Sequence, residues 1–321
     1  MSVPSRLMGS RSPETERRIA AARRRASLIN RVMTGVLAAS ALLLAVVLLA
    51  VIYLIMSAGL PAINWQFLTT ASSFTSPGGG IGPQIWVSVY VLLISLLVVT
   101  PLGVGTALFL AEYARSGPII NAVRFSIEAL SSVPSVVFGV FGAILFLSIL
   151  NLGFSVLSGA LTLAILNLPL MVRISEDAIR SVPASYREAS LALGGSRWET
   201  IRKAVLPSAM PGIVTALVLT SGRIIGETAP LILTTGTTIS PNAQYSLDPF
   251  VTGETLAVHI WVLKIVGVPG LQDAQLVANG AAAVLVLIVL AINIVATLFT
   301  ERLSRRLRGV SSTRASKRGN A

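Results

Sequence analysis

The sequence predicts an all-α integral membrane protein with six transmembrane helices, and its composition, charge pattern and apolar runs support this class. Of its 321 residues, 54% are apolar and 12% are charged, and the mean hydropathy is +0.80. No Asp, Glu, Lys or Arg occurs between Arg31 and Glu112. That stretch is far longer than the roughly 18 apolar residues that indicate a membrane-spanning helix. A soluble enzyme is therefore excluded.

Each long apolar run is expected to be helical, because backbone amides in lipid must find their hydrogen-bond partners within their own segment. The six expected spans are residues 32–56, 84–110, 133–150, 154–172, 208–225 and 278–300. Apart from serines, the fourth span has only Thr162 and Asn167 as polar residues, and the fifth carries Arg223 near its end. The fifth span is the least apolar of the six.

The basic residues predict the orientation of these spans. Most of them lie in three segments and at two single positions: 1–31, 173–203 and 302–318, with Arg115 and Arg124. Six spans place 23 of the 25 Lys and Arg residues on one side, which is expected to be cytoplasmic because basic loops are retained there. Both termini are then cytoplasmic, as basic segments 1–31 and 301–321. The basic residues that give the net charge of +12 are expected to lie beside anionic lipid headgroups, so no nucleic acid partner is expected.

Several absent features narrow the chemistry. The chain has no cysteine, which excludes disulfides, thiolate metal sites and cysteine nucleophiles. It has one histidine, His259, and a single imidazole does not make a metal site. No Gly-x-x-x-x-Gly-Lys-Ser/Thr motif occurs, so the chain does not hold ATP phosphates itself. No cofactor is expected, and the tail from residue 301 is expected to be disordered.

The largest basic loop, residues 173–206, is expected to fold as two short helices. Two pairs of residues fit the capping box, in which a hydroxyl and a carboxylate three residues later satisfy the first amides of a helix. These pairs are Ser185 with Glu188, and Ser196 with Glu199. Gly194 and Gly195 are expected to end the first helix, and Pro207 to limit the second.

The first of these helices presents a small, mostly apolar face. Tyr186, Ala189, Ser190 and Leu193 are spaced by three or four residues, which places them on one side of a helix. Gly194 and Gly195, here called the glycine elbow, are expected to hold this face outside the membrane. Such a face predicts a protein partner on the cytoplasmic side.

The spacing in this loop resembles the EAA signature of ABC-importer permeases: E-A-A, three residues, G, nine residues, then I-x-L-P. The matching residues are Glu188, Ala189, Ser190, Gly194, Leu206 and Pro207. Ser190 stands where the family has its second Ala, and Ala204 where it has Ile. In that family the loop docks into a groove on the ATPase subunit. Glu188 can also serve as a helix cap, and the two roles are compatible.

Three further blocks, at 101–113, 132–142 and 226–230, resemble phosphate-importer permeases of the PstA type. The resemblance covers about residues 84–235. Single glycines in these blocks also have a general explanation, since small residues let membrane helices pack closely.

The resemblance implies the six-span architecture of type I ABC importer permeases (MetI-like), in the plasma (inner) membrane of a bacterial or archaeal cell. The permease domain would span residues 32–300, with the coupling loop at 173–206 and an outer loop at 226–277. The implied partners are an ABC ATPase dimer, a related PstC-like permease subunit and an extracytoplasmic phosphate-binding protein. A permease for another oxyanion, and an ATP-independent anion transporter, are the alternatives.

Arg223 and Glu227 lie four residues apart, so they are expected on one helix face. Arg223 lies about 24 Å of helix beyond Pro207, in the outer third of a hydrocarbon core of about 30 Å. The pair either braces neighbouring helices or lines the substrate path, where Arg223 offers a planar, permanently charged donor fork to phosphate. Thr228 could donate to an oxyanion or bond backbone.

Two expectations concern the region after this pair. Pro230 is expected to end the fifth span, because proline cannot continue a helix. Residues 256–268, with Trp261 and Lys264 among apolar residues, are expected to lie at the membrane interface.

Overall fold

The structure is a computed structural model, and it describes residues 13–71, 79–115, 117–239, 244–267 and 274–315. Regular structure in these ranges is helical, and no strand occurs among them. The chain divides into two compact units, Met1–Ile55 and Met56–Ala321.

The first unit is formed by α1, which spans Pro13–Gly59 and continues into the second unit. The predicted first span, residues 32–56, lies within this helix. Its large apolar side chains from Leu28 to Leu54 are exposed, as expected of a helix surrounded by lipid.

The second unit contains eleven further helices within the described ranges. They are α2 Trp65–Thr69, α3 Gly82–Leu108, α4 Pro118–Ser132, α5 Ser135–Gly142, α6 Val156–Arg180, α7 Ala184–Ala192, α8 Arg197–Thr200, α9 Leu206–Gly226, α10 Ala229–Thr234, α11 Leu256–Trp261 and α12 Ala274–Ala315. Four of these helices continue into a π-helical turn, at Phe109–Tyr113, Ala143–Ile149, Ile201–Val205 and Val262–Val266.

Five helical stretches in the described chain are long and apolar enough to cross a membrane. They are Ala26–Ala62, Gly82–Tyr113, Val156–Arg180, Arg197–Gly226 and Ala274–Leu298. The third predicted span, residues 133–150, corresponds to the helix Ser135–Ile149, which meets this test only together with α4, from which it is bent by 102°. The bend falls at Pro134, and Val133 before it is extended (φ −71°, ψ 132°), because a residue preceding proline is forced out of the helical region.

Other helix ends also differ from expectation. The fourth span continues to Arg180. Pro207 does not end a loop helix, because α8, a π turn and α9 follow one another without a break. In that turn the N–H of Leu206 donates to the carbonyl of Ile201, five residues back, and this wider turn precedes the proline ring. The coupling loop is therefore continuous with the fifth span.

Two expectations outside the coupling loop are wrong. The last helix continues through Ala315, so residues 301–315 are helical, and only 316–321 lie outside the described part of the tail. The fifth span ends at Gly226, and Pro230 lies in the first turn of α10 instead. Proline is well tolerated there, because the first amides of a helix have no partner within it.

The core of the second unit is built around α6, which packs along α3 and α9. Its neighbour α5 approaches through glycines: a Cβ on Gly142 would meet the side chain of Thr162, and one on Gly139 would lie 2.8 Å from the Cα of Pro230. The expected close helix packing at these two glycines is confirmed. Leu256 of α11 and Leu263 of the π turn after it are buried in a cluster with α12, so the first part of the predicted interfacial segment lies within the protein, whereas residues 264–267 are exposed.

Candidate functional site

The first coupling helix, α7, starts differently from expectation. Its N-cap is Pro183 (φ −56°, ψ 142°), and no side chain caps it, so the predicted box between Ser185 and Glu188 is not formed. The proline places the helix start two residues before Ser185, whose hydroxyl is then inside the first turn. The Glu188 side chain is exposed and forms no hydrogen bond or ion pair within the described chain. Its carboxylate is accessible to a partner.

The glycine elbow is confirmed. Gly194 has φ +85°, a left-handed conformation that side chains other than glycine and asparagine rarely adopt. The elbow is held by backbone bonds from Gly194 N–H to the carbonyl of Leu191 (2.9 Å) and from Gly195 N–H to that of Ser190 (3.1 Å). The Gly194 turn thus ends α7 and separates it from α8.

The second capping box forms as predicted. The Ser196 hydroxyl accepts from the Glu199 amide, and the Glu199 carboxylate accepts from the Ser196 amide at 3.1 Å. The Ser196 backbone bond, then Lys203 and the Ser196 hydroxyl, lower the pKa of Glu199 from 4.5 to about 2. Because the pKa is lowered in the folded state, ionised Glu199 stabilises the fold above pH 4.5. This contribution is lost as the pH falls towards 2 and the carboxylate is protonated. The cap is intact at neutral pH.

Around the elbow the structure exposes an apolar area, here called the coupling surface: Tyr186, Ala189, Leu191, Leu193 and Trp198. Leu193 is 90% exposed, an unusual position for a leucine outside lipid unless a partner covers it.

Three predicted coupling residues are half-buried. Ser190 is one of them, and its hydroxyl accepts a hydrogen bond from the Thr200 hydroxyl at 2.9 Å, which ties α7 to α8. Leu206 and Pro207 lie at the start of α9, where Leu206 packs against the core.

Two residues that the sequence analysis did not single out attach α7 to the bundle. Arg187 contacts a single carboxylate oxygen of Glu112, through Nη2 at 2.5 Å and Nε at 3.0 Å. It also donates to the carbonyls of Val182 (2.7 Å) and Ile179 (3.1 Å). A signal existed, because Glu112 is the lone acid that ends the long uncharged stretch.

Further arginines meet the same end of the second span. Arg197 donates to the Glu112 carbonyl and lies over the Tyr113 ring, 4.9 Å from its centre. Arg124 (3.1 Å) and Arg180 (3.3 Å) both donate to the Leu110 carbonyl. These carbonyls lie at a helix C-terminus, where the partial charge is negative and cations are favoured.

At the end of α9, Arg223 and Glu227 form the ion pair that their spacing predicts, with 3.2 Å between Nε and Oε1. Glu227 lies just beyond the helix in extended backbone (φ −72°, ψ 135°) and reaches back to the arginine. The Arg223 side chain is 36% exposed, so part of its donor fork is accessible. The Thr228 side chain forms no hydrogen bond in the described chain.

The histidine has a partner that the sequence analysis did not identify. His259 Nδ1 lies 2.9 Å from the Glu254 carboxylate, and both side chains are buried. Gln84 donates to the same carboxylate oxygen at 3.2 Å. The three residues line a cavity of about 280 Å³.

A bundle of apolar spans, with a capped and glycine-hinged loop that exposes an apolar surface, defines a membrane permease subunit that works with another protein. Residues 99–309 match the family described as binding-protein-dependent transport system inner membrane component, and the chain belongs to this family. It is a multi-pass membrane permease subunit of an ABC importer.

Relatives support this assignment. The chain is 42% identical over 278 residues to the probable ABC transporter permease protein YqgI of Bacillus subtilis strain 168, covering 84% of this chain and 94% of that protein. It is 32% identical over 231 residues to the phosphate transport system permease protein PstA of Mycobacterium leprae, covering 72% and 74%.

Solved structures share the fold. A chain of a bacterial alginate ABC transporter, in complex with a periplasmic protein bound to alginate pentasaccharide, matches with a TM-score of 0.56 at 20% identity, over 83% of this chain and 94% of that one. A chain of the inward-facing MetNI methionine ABC transporter matches with a TM-score of 0.52 at 19% identity, over 70% and 94%. The predicted type I importer permease architecture is confirmed.

Proposed function

We propose that this chain is the transmembrane permease subunit of an ATP-driven importer for inorganic phosphate. The exposed coupling surface, which lies around the Gly194 turn and includes Ala189 of the EAA signature beside the exposed Glu188, is the observation that carries the proposal. The phosphate specificity is supported by the sequence blocks at 101–113, 132–142 and 226–230, and by the similarity to PstA relatives, which are phosphate transport system permease proteins.

In this proposal the coupling surface docks on one subunit of an ABC ATPase dimer. Leu193 and Trp198 supply apolar area, and Glu188 supplies an accessible carboxylate. ATP-driven closure of the dimer would move the elbow, and because α8 is continuous with α9, that motion reaches the fifth span directly. The remaining partners are a PstC-like permease that completes the path and an extracytoplasmic phosphate-binding protein.

The proposed topology places both termini and residues 173–206 in the cytoplasm, with 226–277 on the outer side. The segments 1–31 and 301–321 are then cytoplasmic tails at either end of a permease domain of residues 32–300. Their arginines lie where anionic lipid headgroups attract them.

Arg223, Glu227 and Thr228 are proposed to line the substrate path. A guanidinium can bind phosphate through two parallel charge-assisted hydrogen bonds, and Glu227 holds Arg223 in place through its Nε. The free hydroxyl of Thr228 adds a neutral donor beside them.

The test is transport by the intact complex, purified from the producing organism through a tag on this chain and placed in liposomes. Phosphate, supplied with its binding protein, is expected to stimulate ATP hydrolysis and to accumulate inside the vesicles. Stimulation of ATP hydrolysis by sulfate or molybdate but not by phosphate would show that the importer carries a different oxyanion. Phosphate uptake by the chain without ATP would contradict the importer proposal itself.

A further inference from the structure

The ion pair between Arg187 and Glu112 joins the coupling loop to a span with which it has no covalent connection. Glu112 lies at the end of the second span, 75 residues before Arg187 in sequence. The Glu112 side chain is only 9% exposed and the Arg187 side chain 25%. Both arginine contacts fall on one carboxylate oxygen, and the remaining guanidinium donors bind the end of the fourth span at Ile179 and Val182.

Such a link is stiff. The guanidinium is planar and permanently charged, and four hydrogen bonds to three separate groups fix its orientation. Charge-assisted bonds are roughly twice as strong as neutral ones. Burial of Glu112 also limits screening by water and salt. Losing Arg187 would leave a buried carboxylate without its cation, which is the costly way to break a pair.

A second arginine reaches the same place from the other coupling helix. Arg197, in the first turn of α8, bonds the Glu112 carbonyl and covers the Tyr113 ring. The two coupling helices are thus anchored to one helix end at two points, on opposite sides of the Gly194 elbow. With a single contact the loop could rotate about that contact, and the second contact prevents this rotation.

We propose that Arg187 and Glu112 are positioning residues that transmit the motion of the coupling helices to the second span. The inference rests on the proposed function, because the motion comes from the docked ATPase. Covalent continuity carries that motion to the fourth and fifth spans only. The arginine link carries it to α3, which packs along α6 in the centre of the bundle.

The test is the number of phosphate ions transported per ATP hydrolysed by the purified complex, compared between the wild type and Arg187→Gln. The variant is expected to retain its ATPase subunit and to hydrolyse ATP, but to transport about tenfold fewer ions per ATP, within the usual range of coupling between sites. Exchanging the charges, Arg187→Glu with Glu112→Arg, is expected to restore part of the loss.

Lys203→Gln is the matched control. It removes the same charge from the same loop, but Lys203 pairs with Glu199 within one helical stretch and links no separate span (3.0 Å). This variant is expected to transport as many ions per ATP as the wild type. A loss equal to that of Arg187→Gln would overturn the proposal, because removing any positive charge from the loop would then explain the lower number of ions transported per ATP.

Other outcomes of these measurements also test the proposal. A normal ratio in Arg187→Gln contradicts the transmission role, and so does loss of the ATPase subunit, since the arginine would then serve docking. If Arg187→Gln does not accumulate, Glu112→Gln gives the answer, because it removes the charge and keeps the shape. A wild-type complex that contains no ATPase would mean that the proposed function has failed, irrespective of the ion pair.

Discussion

At the scale of single residues, Ser190 shows how a departure from a family pattern acquires a role. The family has alanine at this position, and a serine there still permits a close approach. In the structure its hydroxyl accepts from Thr200, so α7 and α8 are tied across the elbow. A residue of the EAA signature therefore links the two helices of the loop.

Gly194 is predicted to be required for its backbone conformation. Nothing lies within 4 Å of a Cβ built on it, so added bulk is not the obstacle, but its φ of +85° excludes a β-branched residue. Gly194→Val is expected to reduce phosphate uptake about tenfold or more, since strain of this kind costs of order 1–3 kcal/mol. Membrane insertion, measured by the amount of chain in the membrane fraction, should be unchanged.

Gly194→Asn is the control for this position. Asparagine adopts the left-handed region more readily than other side chains, so this variant should keep most of the uptake. Equal loss in both variants would contradict the backbone explanation.

Arg223 is predicted to act through its donor fork. Arg223→Lys keeps the charge and loses the planar pair of donors, and labelled phosphate uptake is expected to fall about tenfold, the equivalent of one charge-assisted hydrogen bond. Uptake near the wild-type level would argue against two-point recognition. Normal uptake by Arg223→Gln would remove the residue from the mechanism.

Glu227→Gln separates the two roles considered for this pair. It breaks the 3.2 Å ion pair but leaves the guanidinium of Arg223 unchanged. If the pair only braces helices, this variant and Arg223→Gln should lose equal activity. If Arg223 binds substrate, Arg223→Gln should be the more damaging change.

At the scale of elements, the contact of α5 with α6 depends on the absence of a side chain at Gly142. A Cβ there would meet Thr162, a β-branched residue whose hydroxyl is bonded to the Ser158 carbonyl at 2.7 Å and cannot easily turn away. Gly142→Ala is expected to destabilise the protein by about 1–3 kcal/mol. The thermal unfolding midpoint of the purified complex measures this.

Gly105→Ala provides the comparison, because it lies within α3 and nothing is found within 4 Å of its added Cβ. An alanine there should be neutral, or stabilising by up to about 1 kcal/mol through helix propensity. A midpoint that falls by the same amount in both variants would contradict the packing argument.

At the scale of the whole molecule, the predicted orientation has a direct test, because the chain contains no cysteine to interfere. Trp198→Cys places a thiol on the coupling surface, and Leu247→Cys places one on the opposite loop; the native side chains are 57% and 71% exposed. In intact cells an impermeant thiol reagent should label Leu247→Cys only. Trp198→Cys should react only after the membrane is permeabilised. The reverse labelling pattern would show that the orientation is opposite to the predicted one.

Much of the fold could be predicted because its signals are local. Long uncharged runs predicted the spans, and the Ser196 capping box and the Gly194 turn are set by neighbouring residues. The coupling role of residues 173–206 was predicted from their resemblance to the EAA signature, and it stays a prediction. The helix start at Ser135 agrees with the predicted third span, residues 133–150, but the bend of 102° between this helix and α4 was not predicted.

What the sequence determined by itself is the membrane class, the position of the apolar spans, the Gly194 turn and the Ser196 capping box, since hydropathy and turn chemistry act over a few residues. Only the tertiary structure decided which carboxylate Arg187 meets, that His259 has Glu254 as its partner and that Ser190 faces inward. Those contacts depend on how close the helices approach and how they are rotated. Both are properties of the packed bundle, and no local stretch of sequence encodes them.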